Sequence, residues 1–156
     1  MEEKQCGLIL ALDVATPDAA REFLDRLDKA TPYVKIGPRL YVMGGLPFVK
    51  EIIARGYNVF LDLKLHDIPN TVASAVEPLS EAGLWALTIH TSGGYEMMSR
   101  SVAMRDQTGS AMKLFGITVL TRHGVAPVID VHPSCAMTEG PERRAHTAKP
   151  DGPAAQ

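Results

Sequence analysis

The sequence predicts an α/β fold organised on a parallel sheet, and three observations carry that expectation. Five apolar, β-favouring runs begin near Leu8, Pro32, Asn58, Trp85 and Lys113, at spacings of 24, 26, 27 and 28 residues. Amphipathic segments of helical period lie between them, which is the rhythm of a βα repeat. Within the runs the polar residues gather at the carboxyl ends.

The elements follow in order. The first run, Leu8 to Asp13, places Ile9, Ala11 and Asp13 on one face by the two-residue period of a strand. Thr16 and Pro17 announce the first helix as cap and first-turn residue, and Ala20, Phe23, Leu24 and Leu27 then form its apolar stripe. Asp18, Arg21, Glu22, Asp25 and Arg26 make up its polar face. The second run brings Lys35 and Gly37 to one face, and a helix is expected over Pro38 to Ala54, weakened at Gly44-Gly45. In the third run Phe60, Asp62 and Lys64 alternate with Val59, Leu61 and Leu63, ahead of a helix over Pro69 to Ala82. The fourth run aligns Ala86, Thr88 and His90, and a helix over Tyr95 to Arg105 precedes the fifth.

Right-handed crossovers allow such a chain to form either an open doubly wound sheet or a closed (β/α)₈ barrel of the TIM type. Helices cover both faces of an open sheet, so its strands read apolar throughout; a barrel instead points catalytic side chains inward from its carboxyl end. The polar strand ends favour the barrel. Neither Gly-x-Gly-x-x-Gly nor the Walker pattern is present, which removes the easiest dinucleotide and nucleotide-triphosphatase readings. A full barrel takes eight units and about 250 residues, so 156 residues with five strands predict an incomplete one.

Composition narrows the function classes. A balance of 46% hydrophobic and 22% charged residues suits one globular domain with a core. The net charge of −2 comes with no basic stripe, so neither nucleic acid nor a membrane surface is an expected partner. No apolar run approaches the roughly 18 residues of a membrane-spanning helix. Cys6 and Cys135 are too few for a disulfide framework, and Met1-Glu2-Glu3-Lys4-Gln5 lacks the features of a signal peptide, so a cytoplasmic location is expected.

Most informative is Asp62-Leu-Lys-Leu-His-Asp-Ile-Pro-Asn-Thr71, which sets two carboxylates and an ammonium at the end of an apolar strand without metal-ligand spacing. A strand-end Asp-x-Lys alone could be a surface ion pair. The ten residues together resemble, without a gap, the signature of the orotidine 5′-monophosphate decarboxylase family. The resemblance runs from about Leu8 to Thr121, through Leu-Ala-Leu-Asp13, Val34-Lys35-Ile-Gly37, Thr88-Ile-His90 and Ile117-Thr-Val-Leu-Thr121.

That resemblance implies a TIM barrel converting orotidylate to UMP and CO₂ in de novo pyrimidine biosynthesis, without cofactor or metal. Lys64 would be the catalytic acid, flanked by Asp62 and Asp67. Asp13 and Lys35 would contact ribose hydroxyls, Ile68 and Thr71 would belong to the substrate site, and Thr121 would contact the pyrimidine. It also implies a homodimer, with Asp67 and Thr71 reaching the partner's site. Related keto-gulonate-phosphate decarboxylases and hexulose-phosphate synthases share the Asp-x-Lys-x-x-Asp array but use Mg²⁺. They resemble Val-Glu-x-Gly where this chain has Val34-Lys35-Ile-Gly37, so Lys35 removes a carboxylate that a hard cation would need. His90 is expected to be a packed core histidine, and His66 receives no role beyond the motif.

From Arg122 onward the composition changes to five prolines, three glycines, three histidines and a single residue from Leu, Ile and Phe, Ile129. Residues 1–121 are therefore expected to form a partial barrel domain, and 122–156 an irregular Pro-rich tail outside the resemblance. A frameshift or truncated reading frame is the hypothesis for this break, and translation of the locus in the other frames should reveal the missing strands; their absence would overturn it. The second function class is accordingly an inactive fragment lacking the phosphate-binding loops. His123, His132 and His146 with Cys135 do not reproduce the paired ligand clusters of a structural zinc site.

Overall fold

A computed structural model describes residues 8–27 and 31–118. Thr121, both cysteines and the tail 122–156 lie outside the described residues. The elements are β1 (Ile9–Leu12), α1 (Pro17–Leu27), β2 (Tyr33–Ile36), α2 (Pro38–Ala54), β3 (Asn58–Leu65), α3 (Pro69–Glu81), β4 (Ala86–His90), a 3₁₀ turn (Thr91–Gly93), α4 (Gly94–Gln107) and β5 (Lys113–Ile117). Helix starts follow local chemistry. Thr16 Oγ1 accepts the Ala19 N–H at 3.1 Å, and Pro38 and Pro69 occupy first-turn positions where a missing N–H costs nothing. The weakness expected at Gly44-Gly45 is a kink: Gly45 adopts φ 60°, ψ −165°, a region open to glycine, and Pro47 follows it.

All four strand pairings are parallel, and the sheet order is β1-β2-β3-β4-β5. This order decides between the two architectures. A doubly wound sheet reverses direction at a switch point, whereas sequential order with right-handed crossovers sends every helix to the same side. The chain is thus a five-strand sector of a (β/α)₈ barrel, with helices outside and the opposite face turned toward the barrel axis.

The two faces are built differently. On the helix side Val34, Ile36, Val59, Leu61, Leu87 and Ile89 are buried, packed in one core with Leu24, Leu40, Val49, Ile52, Val72, Val76 and Met97. Each such side chain stabilises the fold by about 1.5–3 kcal/mol relative to exposure. Arg21, reaching from α1, hydrogen-bonds Glu51 of α2 and lies over the Phe48 ring, so the polar face of α1 is not simply solvated. On the inner face, Tyr33, Phe60, Trp85 and Phe115 form a chain of ring contacts at centroid distances of 4.8–6.2 Å near the amino ends of the strands, and Lys113 Nζ lies 4.7 Å from the Trp85 ring centre. Phe115 keeps 41% of its surface exposed and Ile9 38%. Above the rings, toward the carboxyl ends, the inner face turns polar.

Candidate active site

Three neighbouring strands bring Lys35, Asp62, Lys64 and Thr88 together at the carboxyl end of the inner face. Lys64 Nζ donates to Asp62 Oδ1 at 2.8 Å, and Lys35 Nζ donates to Asp62 Oδ2 at 3.4 Å. The Thr88 hydroxyl donates to Asp62 Oδ1 at 3.1 Å. The Asp62 side chain is only 14% exposed, whereas both lysines are about a third exposed, so the carboxylate is sheltered between two ammonium groups that still face the open end. Burial is the largest single influence on the Asp62 carboxyl and would raise it; the hydrogen bonds from Lys64 and Thr88 and the charges of Lys64 and Lys35 together outweigh it and hold the group below the usual carboxylate range.

The local backbone is not the even pleat that strict alternation of Phe60, Asp62 and Lys64 predicts. Leu61 pairs with Leu87 and Leu65 with Ile89, so β3 advances four residues while β4 advances two. The chain bulges over Asp62, Leu63 and Lys64. Lys64 has φ 52°, the only non-glycine residue with positive φ among the described residues. A non-glycine residue in this region costs of order 1–3 kcal/mol and persists where surrounding structure enforces it. Here the Lys64 N–H donates to Thr88 Oγ1 at 2.7 Å.

The remaining predicted residues stand apart from this cluster. Asp13 lies just past β1, exposed, its N–H bonded to the Ala11 carbonyl at 3.0 Å. Asp67 and Thr71 are exposed, and Asp67 Oδ1 accepts the Ile68 N–H at 2.6 Å; Ile68 itself is 67% exposed. Thr121 lies outside the described residues. Sequence reasoning missed Thr88, although its place on the inward face of the adjacent strand was the signal that could have found it. It also missed that His66 stacks on His90, ring centres 5.0 Å apart. His90 caps the 3₁₀ turn, its Nδ1 accepting the Ser92 N–H at 3.3 Å, and burial, with the His66 charge second, lowers the His90 imidazole from its ordinary value.

Fold and site define a barrel enzyme class in which charged side chains from several strand ends converge at the carboxyl face. The model of the orotidine 5′-phosphate decarboxylase / HUMPS family matches residues 7–155, and the chain belongs to that family. The matched range continues past Thr121, beyond the last motif that carries the resemblance. An orotidine 5′-phosphate decarboxylase of Opitutus terrae is 47% identical over 116 residues, covering 74% of this chain and 50% of the relative. That of Pseudomonas putida is 43% identical over 139 residues, covering 85% of this chain and 59% of the relative. The crystal structure of orotidine 5′-phosphate decarboxylase from Lactobacillus acidophilus superposes with a TM-score of 0.67 at 34% identity, over 74% of this chain and 54% of that one. The chain thus spans about half the length of the curated relatives it matches. No helix among the described residues is long and apolar enough to cross a membrane.

Proposed function

We propose that this chain carries the catalytic array of an orotidine 5′-phosphate decarboxylase, converting orotidylate to UMP and CO₂ without a cofactor. The observation that carries the reading is the bridged Asp62 carboxylate, with Lys64 on one oxygen and Lys35 on the other, at the carboxyl end of a family barrel. Loss of CO₂ leaves an electron pair on a pyrimidine ring carbon. A cation fixed beside that carbon stabilises the developing charge, and the Lys64 ammonium then donates the proton that replaces CO₂. Asp62, facing the substrate carboxylate, adds repulsion that departs with CO₂. Lys35 adds a second, weaker positive charge beside Asp62 and, in this reading, contacts the ribose hydroxyls together with Asp13.

Asp67, in the loop before α3, and Thr71, in its first turn, complete the reading as residues that serve a second subunit, with Ile68 between them in the substrate site. Their support is geometric: all three are exposed, and the only side-chain bond of Asp67 among the described residues is local. A homodimer would give each array a second aspartate beside Lys64. Thr121 is proposed to contact the pyrimidine, and a cytoplasmic location fits the reaction.

A second reading is a chain of the same family whose array does not turn over. Binding energy from a remote phosphate normally speeds chemistry at the reacting carbon, so an array without it should turn over slowly. The experiment is release of CO₂ from orotidylate by the purified chain beside a Lys64→Ala control, with and without EDTA. Activity above the control and indifferent to EDTA supports the decarboxylase. Activity lost in EDTA and restored by Mg²⁺ moves the assignment to the sugar-phosphate enzymes. No difference from the control leaves the second reading.

A further inference from the structure

A single hydroxyl connects the two unusual features of the site, the bulged backbone and the bridged carboxylate. Thr88 Oγ1 accepts the Lys64 N–H at 2.7 Å and donates its own hydrogen to Asp62 Oδ1 at 3.1 Å. Thr88 is 1% exposed, so bulk water does not compete for either bond. The bulge removes Lys64 from the regular ladder between β3 and β4, and its N–H would otherwise lack the backbone acceptor that a strand supplies. The same oxygen atom Oδ1 that Thr88 engages is the one Lys64 Nζ engages. Only a group that donates and accepts at one atom can serve both partners here, and the β-branched side chain of threonine holds that atom in few rotamers.

We propose that Thr88 is a positioning residue for the decarboxylation array: its hydroxyl locks the left-handed backbone of Lys64 and the Asp62 carboxylate together, and so aims the Lys64 ammonium. Thr88 does not touch the reacting atoms. It acts through the two residues that do, and in this respect the inference rests on the function proposed above. Without the hydroxyl, Lys64 loses the bond that compensates its strained φ and is free to relax toward an ordinary strand conformation, which swings the ammonium away from Oδ1. The Asp62 carboxylate simultaneously loses one of the two hydrogen bonds on that oxygen.

The test compares Thr88→Val, which keeps the shape and removes the hydroxyl, with Thr88→Ser, which keeps the hydroxyl and loses the methyl. In the full chain, Thr88→Val should lower kcat by roughly 10- to 100-fold, the range expected for deleting a hydrogen bond to a charged group, with KM changed by no more than about two-fold. Thr88→Ser should recover kcat to within about three-fold of the parent, since both hydrogen bonds return. Two further readouts need no turnover. Carbon-13 NMR should show the Asp62 carboxyl titrating at higher pH in Thr88→Val and back near the parent in Thr88→Ser, and the Lys64 amide should exchange with solvent faster only in the valine variant. Thr88→Ala carries the same readings if the valine variant does not fold. Parent-like kcat, Asp62 titration and Lys64 exchange in the hydroxyl-free variant would overturn the proposal, as would equal losses in valine and serine. If the parent chain proves inactive on orotidylate, the titration and exchange still decide the positioning role, so the two readings fail separately.

Discussion

The two faces of the sheet obey opposite rules. The outer face is apolar from end to end and closed by helices, with Val34, Val59, Leu61 and Leu87 at 0% exposure. The inner face grades from an aromatic floor at Tyr33, Phe60, Trp85 and Phe115 to a charged rim at Lys35, Asp62 and Lys64. Every strand contributes alternate residues to both, so stability and chemistry are written into the same segments in alternate positions. The difference teaches where tolerance lies. The outer face needs volume and hydrophobicity, whereas the inner rim needs particular atoms at particular distances, including a backbone conformation that the outer face would never demand.

Substitutions that touch one face alone should separate the two. The largest effect is expected from Lys64→Ala, which removes both the cation and the proton and should lower any decarboxylation on the order of 10⁴-fold while the chain stays folded. Lys64→Arg should fail almost as badly, because a guanidinium is effectively never deprotonated. Steady-state assays beside melting curves check this, and an active arginine variant would remove Lys64 as proton donor. Ile52→Ala is the reciprocal case. Ile52 is fully buried on the α2 side of the outer interface, and its truncation should cost about 2–5 kcal/mol in urea unfolding while kcat of the folded fraction stays near the parent value. A large drop in kcat at full folding would show that the faces are coupled.

A smaller effect is expected from pH. The folded state disfavours protonated His90, so the unfolded chain takes up that proton more readily, and stability should be complete above about 6.5 and fall as pH drops from there toward the lower folded value. Asp62 adds a second, more acidic loss. Its carboxyl lies below the ordinary 3.8 in the folded state, so its contribution is present above that value and disappears as pH falls through the lowered one. Urea midpoints measured from neutral pH downward should show both steps, with Asp62→Asn removing only the second. The smallest change should come from the helix rim: Asp25→Asn breaks a 2.9 Å ion pair with Arg55 in which Asp25 is 67% exposed, and should shift stability by less than about 1 kcal/mol.

Much of this was legible in the sequence. Pro17, Pro38 and Pro69 marked helix starts because proline is preorganised for the first turn, and the strand starts near Leu8, Pro32 and Trp85 moved by a single residue in the structure. The motif from Asp62 to Thr71 pointed to the family that the comparison then established. What escaped were relations across strands. Thr88 and His90 read as inward-facing residues of β4, yet nothing in the local pattern shows that β3 gains two residues against β4 between Leu61 and Leu65. A bulge of this kind is a property of the pair of strands.

The sequence by itself determined the period of the repeat, the parallel sheet it requires, the apolar face that must be covered and the carriers of charge at the strand ends, since these depend on spacing along one strand or one helix. Tertiary structure alone decided which ammonium meets which Asp62 oxygen, that the Lys64 backbone turns left-handed to do so, and that the Thr88 hydroxyl fills the gap in the ladder. Those contacts join residues 24 to 27 positions apart. Their distances follow from inter-strand register, and register is fixed by how the buried outer face packs against its helices.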